Sequence, residues 1–346
     1  MAGNDRAGAG IDVALARGGG SMMTPRVQGI LACPDCGTPV EDDTLPEDDR
    51  LACEYCGQEF PVIRHIPRFA GSRENYAQNF GAQWQMFRTV QIDRLAGHGL
   101  SGGRLLADTG WSPEWMRGKL ILDAGCGAGR FTDVMAECGA DVVACDLSGA
   151  VEACRETSLD STNAHPDRGA VTVIQADLTA LPFKPESFDA IHCAGVIQHT
   201  HDPDLVMRSL IRHLKPGGRV FYNFYEESSA SDWQLIKRLL RLWTPSWPFT
   251  RLYAFARVLC AVFFLPSLLM AKVPMVRAFN RFLPICSVHP PGIPLGMQYR
   301  MTLLDTIDWY GPVYEVRQNH LKVAALLKEE GLKEVRSDPG RAWGVR

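Results

Sequence analysis

Neither charge predominates in this 346-residue chain: 36 Lys/Arg against 39 Asp/Glu leave a net charge of -3, so the overall balance offers no general pull toward nucleic acid. Disulfide pairing is equally poorly served. The cysteine total is odd, at 11, and beyond the first four these residues are scattered through apolar segments. That usage belongs to a reducing compartment, where a lone thiol behaves as a small hydrophobe. The N-terminal "MAGNDRAGAGIDVALARGGGSMM" has no basic region followed by an apolar run long enough for secretion. It reads as a Gly/Ala-rich disordered tail over residues 1–28, with Met22 or Met23 as an alternative start, and the cytoplasm is the default address. No run reaches the roughly 20 apolar residues of a membrane span. The uncharged stretch from Val258 to Ala271 holds fourteen residues and is interrupted by Pro266, so no transmembrane helix is expected. Internal repeats are missing too.

Four cysteines are not scattered. "CPDCGTPVEDDTLPEDDRLACEYCG", residues 33–57, holds two CxxC pairs, Cys33/Cys36 and Cys53/Cys56, with sixteen residues between Cys36 and Cys53. C-x2-C, a spacer of about 15 to 20 residues and a second C-x2-C is the spacing of a tetrahedral zinc site. Gly37 and Gly57 follow the two pairs and let backbone amides turn toward the thiolates. Four thiolates fill the coordination shell, so Zn2+ here would be structural, stapling a ribbon over residues 29–70 that is too small to fold alone. Two independent redox pairs are the alternative, but neither has the helix start that such chemistry uses.

From residue 119 short apolar runs alternate with helical patterns: "KLILDAG", "ADVVACD", "AVTVIQAD", "FDAIHCAG" and "RVFYNFY" are strands, and "GRFTDVMAECG", "SGAVEACRETS" and "DPDLVMRSLIRHLKPGG" are helices. This predicts an α/β domain over 119–346 with a doubly wound, parallel, Rossmann-like sheet. Residues 71–118 are linker and covering helices, in which Phe80, Trp84, Phe87 and Ile92 share a helical face. A Trp/Pro-rich, hydrophobic and basic insert interrupts the rhythm at 226–300. It resumes with a helix capped by Gly331 and one or two terminal strands. The loop "ILDAGCGAGRF" puts Gly125, Gly127 and Gly129 between a strand and a helix, where any Cβ would occupy a ligand's space. Arg130 stands where a dinucleotide fingerprint has its third glycine, and no G-K-[ST] follows, so nicotinamide and Walker-type readings are weakened.

"LDAGCGAGRF" resembles the first motif of the class I S-adenosylmethionine-dependent methyltransferases, and "VVACD", "QADLTALPF", "FDAIHCAGVIQHTHDP" and "LKPGGRVFYN" follow in that family's order. The resemblance implies that Gly125, Cys126, Gly127 and Gly129 pack beneath the methionine part of S-adenosylmethionine, with Asp123 organising the loop and the amino group. It also implies that Asp146, beside Leu147, accepts the ribose hydroxyls. Asp177 would accept from the adenine amino group and Leu178 pack on the ring, and Gly195 would also contact the cofactor. "NYAQNFGAQW" resembles a helix that covers the cofactor, with Tyr76 and Trp84 closing over it or, equally, serving the core. His199 and His201 at the "IQHTHDP" turn are the candidate general bases, His199 the better placed, though a turn-capping role is open. "CGQEFPVIRHIPRF" resembles the end of the zinc ribbon found beside many methyltransferases.

The family implies methyl transfer to a small-molecule acceptor, most simply a hydroxyl of a sugar, glycolipid or secondary metabolite. "MTLLDTIDWYGPVYE" offers Asp305, Asp308, Trp309 and Tyr310 for a polyhydroxylated substrate, carboxylates accepting from hydroxyls and aromatic faces covering C–H groups. An RNA base methyltransferase using the ribbon for RNA contact is the alternative. The acidic run in the ribbon loop, "PVEDDTLPEDD", argues against it and against nucleic acid as a partner. Between residues 228 and 300 nine Lys/Arg face one acid, Asp232. Apolar, aromatic and basic residues together suit peripheral contact with the inner face of a membrane through 250–285, or a lipid-linked substrate; a helical cap with a basic rim is the plainer reading.

Overall fold

A computed structural model describes residues 23–40, 50–70, 77–161, 167–227 and 234–346 of the chain. The tail up to residue 22, the acidic run at 41–49 and Tyr76 lie outside the described residues. Buried β-branched and aliphatic runs build the central sheet. β4 (Leu120–Ala124) is buried at every position, and β5 (Asp141–Asp146) and β6 (Val171–Gln175) are buried at all but their ends, as strands covered on both faces must be. With β7 (Phe188–Ala194), β8 (Leu214–Asn223), β9 (Lys333–Asp338) and β10 (Arg341–Val345) they form seven strands in the order β6-β5-β4-β7-β8-β10-β9.

Strands β4 to β8 pair in parallel, and helices Arg130–Glu137, Ala150–Ser161 and Pro203–Arg212 make the crossovers. The order reverses between β4 and β7, which opens a crevice beyond their C-terminal ends. A wholly parallel sheet is not what forms. β10 runs antiparallel to both β8 and β9, because two residues, Pro339 and Gly340, join β9 to β10 and a parallel crossover needs a dozen or more.

The ribbon contributes β1 (Arg50–Ala52), β2 (Glu59–Ile63) and β3 (Ile66–Pro67), an antiparallel sheet docked beside β6. Its apolar residues Leu31, Leu51, Phe60, Val62 and Phe69 share one buried cluster with Leu120, Leu178 and Phe183. Residues 23–28 are not tail. Met23 and Val27 are buried in that same cluster, the Thr24 side chain caps helix Pro25–Gln28, and Arg26 donates to Gly118 O and to Asp141 and Asp189.

Between ribbon and sheet the expected helical face breaks after helix Gln78–Phe87, and Ile92 is extended and fully buried ahead of helix Asp93–Ala96. The insert builds a second core, in which Leu252, Ala256 and Cys260 pack with Leu304, Ile307 and Tyr310. Its long helix runs Phe249–Lys272, 24 residues with Pro266 inside. By length and composition alone it could cross a membrane, since the helix extends well past the fourteen uncharged residues.

Candidate active site

β4 leads straight into Gly125, Gly127 and Gly129, all with positive φ, and then into helix Arg130–Glu137. The glycines are required by the protein's own side chains. A Cβ on Gly125 would lie 2.2 Å from Val196 Cγ2, and one on Gly127 would lie 3.0 Å from the Trp84 ring, so the space expected for a ligand is filled by Val196 and Trp84. Gly129 similarly backs onto Cys154 at 3.0 Å and is not part of the cavity wall.

Asp123 also lies beneath the loop. It is buried, with Oδ2 accepting from the Thr132 hydroxyl at 2.6 Å and Oδ1 paired with His192 Nδ1 at 3.0 Å, so it braces the loop from behind the cavity. Asp146 closes the loop from the other side: Gly127 N–H donates to Oδ2 at 3.0 Å, and Ser148 N–H and Oγ–H donate to Oδ1 at 2.8 Å. Burial pushes its carboxyl above the usual carboxylate range, against the pull of those donors. The Asp177 Oδ1 accepts from Thr179 N–H and Oγ–H, both at 2.8 Å.

These strand ends open onto one cavity of about 670 Å³, within the range of small-molecule sites. Gly125, Cys126 and Gly127 line it after β4, Asp146 and Leu147 after β5, and Asp177 and Leu178 after β6. Gly195 and His199 follow β7. Trp84 covers the glycine loop, and helix Leu295–Tyr310 supplies Asp305, Asp308 and Trp309 on the far wall.

His199 is buried between the rings of Phe80 and Tyr225. Its Nδ1 faces Tyr314 O at 3.1 Å, and a carbonyl can only accept, so Nδ1 carries the hydrogen and Nε2 keeps the lone pair. Burial lowers its pKa, keeping the ring neutral. Two expected site residues fall elsewhere. His201 is exposed against the Tyr314 ring at the turn before helix Pro203–Arg212, and Tyr310, two residues past Asp308 and so on the other face of the helix, is fully buried in the second core with its hydroxyl donating to Pro284 O.

Asp305 and Asp308 stand one helical turn apart. Burial, and then the neighbouring Asp308, push the Asp305 carboxyl up to about 7, while Arg130 and Arg104 pull the other way. Tyr225 Oη donates to Asp308 Oδ2 at 3.3 Å. Arg130 is itself lowered to about 10 by burial and by Arg104. Below them Lys237 and Glu315 pair at 3.0 Å, with Arg241 and Arg317 around the same carboxylate, and Lys237 lies over the Trp309 ring.

Sequence patterns do not point to three glutamines in this wall. Gln83 Nε2, Gln198 Oε1 and Gln234 Oε1 are buried at the cavity and have no hydrogen-bond partner among the described residues. Such groups are costly unless water or a polar ligand in the cavity satisfies them. Gln198 lies in the same turn as His199 and Gln83 stands next to Trp84 in helix Gln78–Phe87, whereas Gln234, just ahead of helix Leu235–Leu240, belongs to no motif.

The four ribbon thiols converge as well. All their sulfurs lie within 4.8 Å of one another, with Cys33 to Cys56 at 3.7 Å and Cys36 to Cys53 at 3.5 Å. Sulfurs bound tetrahedrally at about 2.3 Å would be about 3.8 Å apart, so the donor set fits zinc. The two knuckles match: Gly37 N–H donates to Cys33 O and Gly57 N–H to Cys53 O, both at 2.8 Å.

Residues 122–222, from β4 to β8, match the family described as a methyltransferase domain. Over 111 residues the chain is 34% identical to the ubiquinone biosynthesis O-methyltransferase of Pseudomonas fluorescens strain SBW25 and 35% identical to that of Pseudomonas putida strain W619. Each match takes in 31% of this chain and 45% of the relative, so the chain spans less than half the length of these curated proteins. The magnesium protoporphyrin IX methyltransferase of Synechocystis PCC 6803 aligns at 15% identity over 77% of this chain and 84% of that one, with a TM-score of 0.38.

Proposed function

We propose that this protein transfers a methyl group from S-adenosylmethionine to a small-molecule hydroxyl. The observation that carries the reading is the convergence of Gly125–Gly127, Asp146 and Asp177 on one cavity at the sheet's switch point, within the stretch that matches a methyltransferase domain. The relatives it resembles there are named for O-methylation in ubiquinone biosynthesis, which favours oxygen as the acceptor atom.

In this reading Asp146 receives the ribose hydroxyls and Asp177 the adenine amino group, with Leu178 against the ring and Trp84 covering the loop. Bound there, the cofactor supplies an activated methyl on a sulfonium. The chain's own contribution is alignment, exclusion of water and proton acceptance. His199, neutral and oriented by the Tyr314 carbonyl, takes the acceptor's proton at Nε2. Asp305 and Asp308 accept from the acceptor's hydroxyls, with Trp309 against its apolar face.

Zinc in the Cys33/Cys36/Cys53/Cys56 site is structural in this account, and the free thiols elsewhere fit a reducing compartment such as the cytoplasm. The test is incubation of the full chain with methyl-labelled S-adenosylmethionine and a panel of phenols, sugars, lipid extracts and total RNA. Label in a hydroxylated small molecule or lipid is expected; label only in RNA, or in nothing, would overturn the reading.

A further inference from the structure

We propose that the outer face of the insert docks on an anionic lipid bilayer, with residues 272–282 seated among the headgroups. Three observations carry this, and none depends on what the cavity transfers. The first is chemical: residues 234–300 contain nine Lys/Arg and no Asp or Glu. Lys237 and Arg241 are spent on Glu315, which leaves Arg238, Arg251, Arg257, Lys272, Arg277, Arg281 and Arg300 on the outside or rim.

The second is the long helix. Its stripe Leu252, Ala256, Cys260, Phe264 and Ser267 is buried, while Val258, Val262, Leu265 and Leu269 on the opposite side are 58% to 65% exposed. Single exposed hydrophobics need no explanation, but a continuous stripe does. The third is the tip beyond it, where Val273, Met275, Val276, Phe279 and Phe282 are all exposed, Met275 to 87%, between Lys272, Arg277 and Arg281. Asn280 Nδ2 donates to Ser267 O at 3.0 Å and pins this tip to the helix. Aliphatic and aromatic side chains interleaved with cations match a surface that is apolar below and anionic above.

Other occupants fit less well. A second copy meeting this face about a two-fold axis would set the cations of one subunit against those of the other with no acid in the segment to compensate. A spanning arrangement has the length it needs, but the buried stripe packs on helix Leu295–Tyr310, which carries Asp305 and Asp308 into the cavity. The helix therefore lies in the interface rather than across it. Helix Leu235–Leu240 likewise turns Lys237 into the cavity wall and leaves Leu235, Ile236 and Leu239 exposed on its other side.

The test is co-sedimentation of the full chain with vesicles of phosphatidylcholine alone and of phosphatidylcholine mixed with phosphatidylglycerol, at low and high salt. Binding to the mixed vesicles only, weakened by salt, is expected. Met275→Glu with Phe279→Glu, and separately Arg277→Glu with Arg281→Glu, should each weaken it about tenfold or more. Thermal midpoint and S-adenosylhomocysteine affinity should be unchanged in both variants, which separates this face from the cavity. No sedimentation at low salt, or undiminished sedimentation of both variants, would overturn the proposal. So would a dimer in light scattering, without vesicles, that the Met275/Phe279 variant dissociates.

Discussion

The ribbon and the insert are attached to the sheet in different ways: no described ribbon residue lines the cavity, whereas the insert contributes Gln234, Lys237 and Cys286 to its wall. The ribbon is joined through backbone and ion pairs: Ala32 N–H donates to Pro182 O, Phe69 N–H to Gln175 O, and Arg68 bonds both Gln175 and Glu152. Gln175 then donates from its amide to Leu147 O, one residue beyond Asp146. The insert instead packs a core of its own and leaves an apolar face outward. One supports the strand ends assigned to the cofactor; the other packs on the helix whose Asp305, Asp308 and Trp309 form the wall assigned to the acceptor. Lesions on the two sides should therefore separate into cofactor effects and acceptor effects.

The largest effect is expected from Cys53→Ser. Loss of a structural metal belongs with the mutations that cost more than about 4 kcal/mol, and calorimetry should show a lowered midpoint with zinc released. Because the ribbon shares its core with Leu178 and Phe183, cofactor affinity should fall with it; an intact affinity would break the comparison. His199→Ala, at the seam between the walls, should lower kcat by about a hundredfold in steady-state assays, with S-adenosylhomocysteine affinity nearly unchanged.

Asp305→Asn belongs to the acceptor side and should raise the acceptor KM. With the carboxyl at about 7, acceptor turnover should climb as pH rises through neutrality, and the Asn variant should flatten that profile. Stability should change in the opposite sense. A raised carboxyl binds its proton more tightly folded than unfolded, so its contribution is present below the ordinary Asp range and is lost as pH rises toward 7. The melting midpoint of Asp305→Asn relative to the native chain should accordingly improve from acid to alkaline pH. The smallest effect is Arg68→Ala, which should weaken cofactor binding by about 1 kcal/mol in titration without changing acceptor KM.

How much of this could be read from the sequence follows the strength of local pattern. Two CxxC pairs and the strand-glycine-helix passage are short, ordered signals, and they place the thiol cluster and the β4 loop to the residue. Long-range packing left no such trace. Arg68 meeting Gln175, the glycines answering to Val196 and Trp84, and the docking of Met23 and Val27 all join residues far apart in the chain. His201 and Tyr310 fall outside the cavity for a related reason: neighbours of a site residue in sequence point to another side of a turn or helix. The antiparallel end of the sheet depended on a two-residue connection that strand periodicity does not report.

The central claim is that the cavity at the β4–β7 switch point holds S-adenosylmethionine. Calorimetric titration of the full chain with S-adenosylhomocysteine tests it most directly. One-to-one binding in the micromolar range or tighter, weakened about tenfold or more by Asp146→Ala while the fold is retained, is the predicted result. No heat at millimolar ligand, or affinity indifferent to Asp146→Ala, would contradict it.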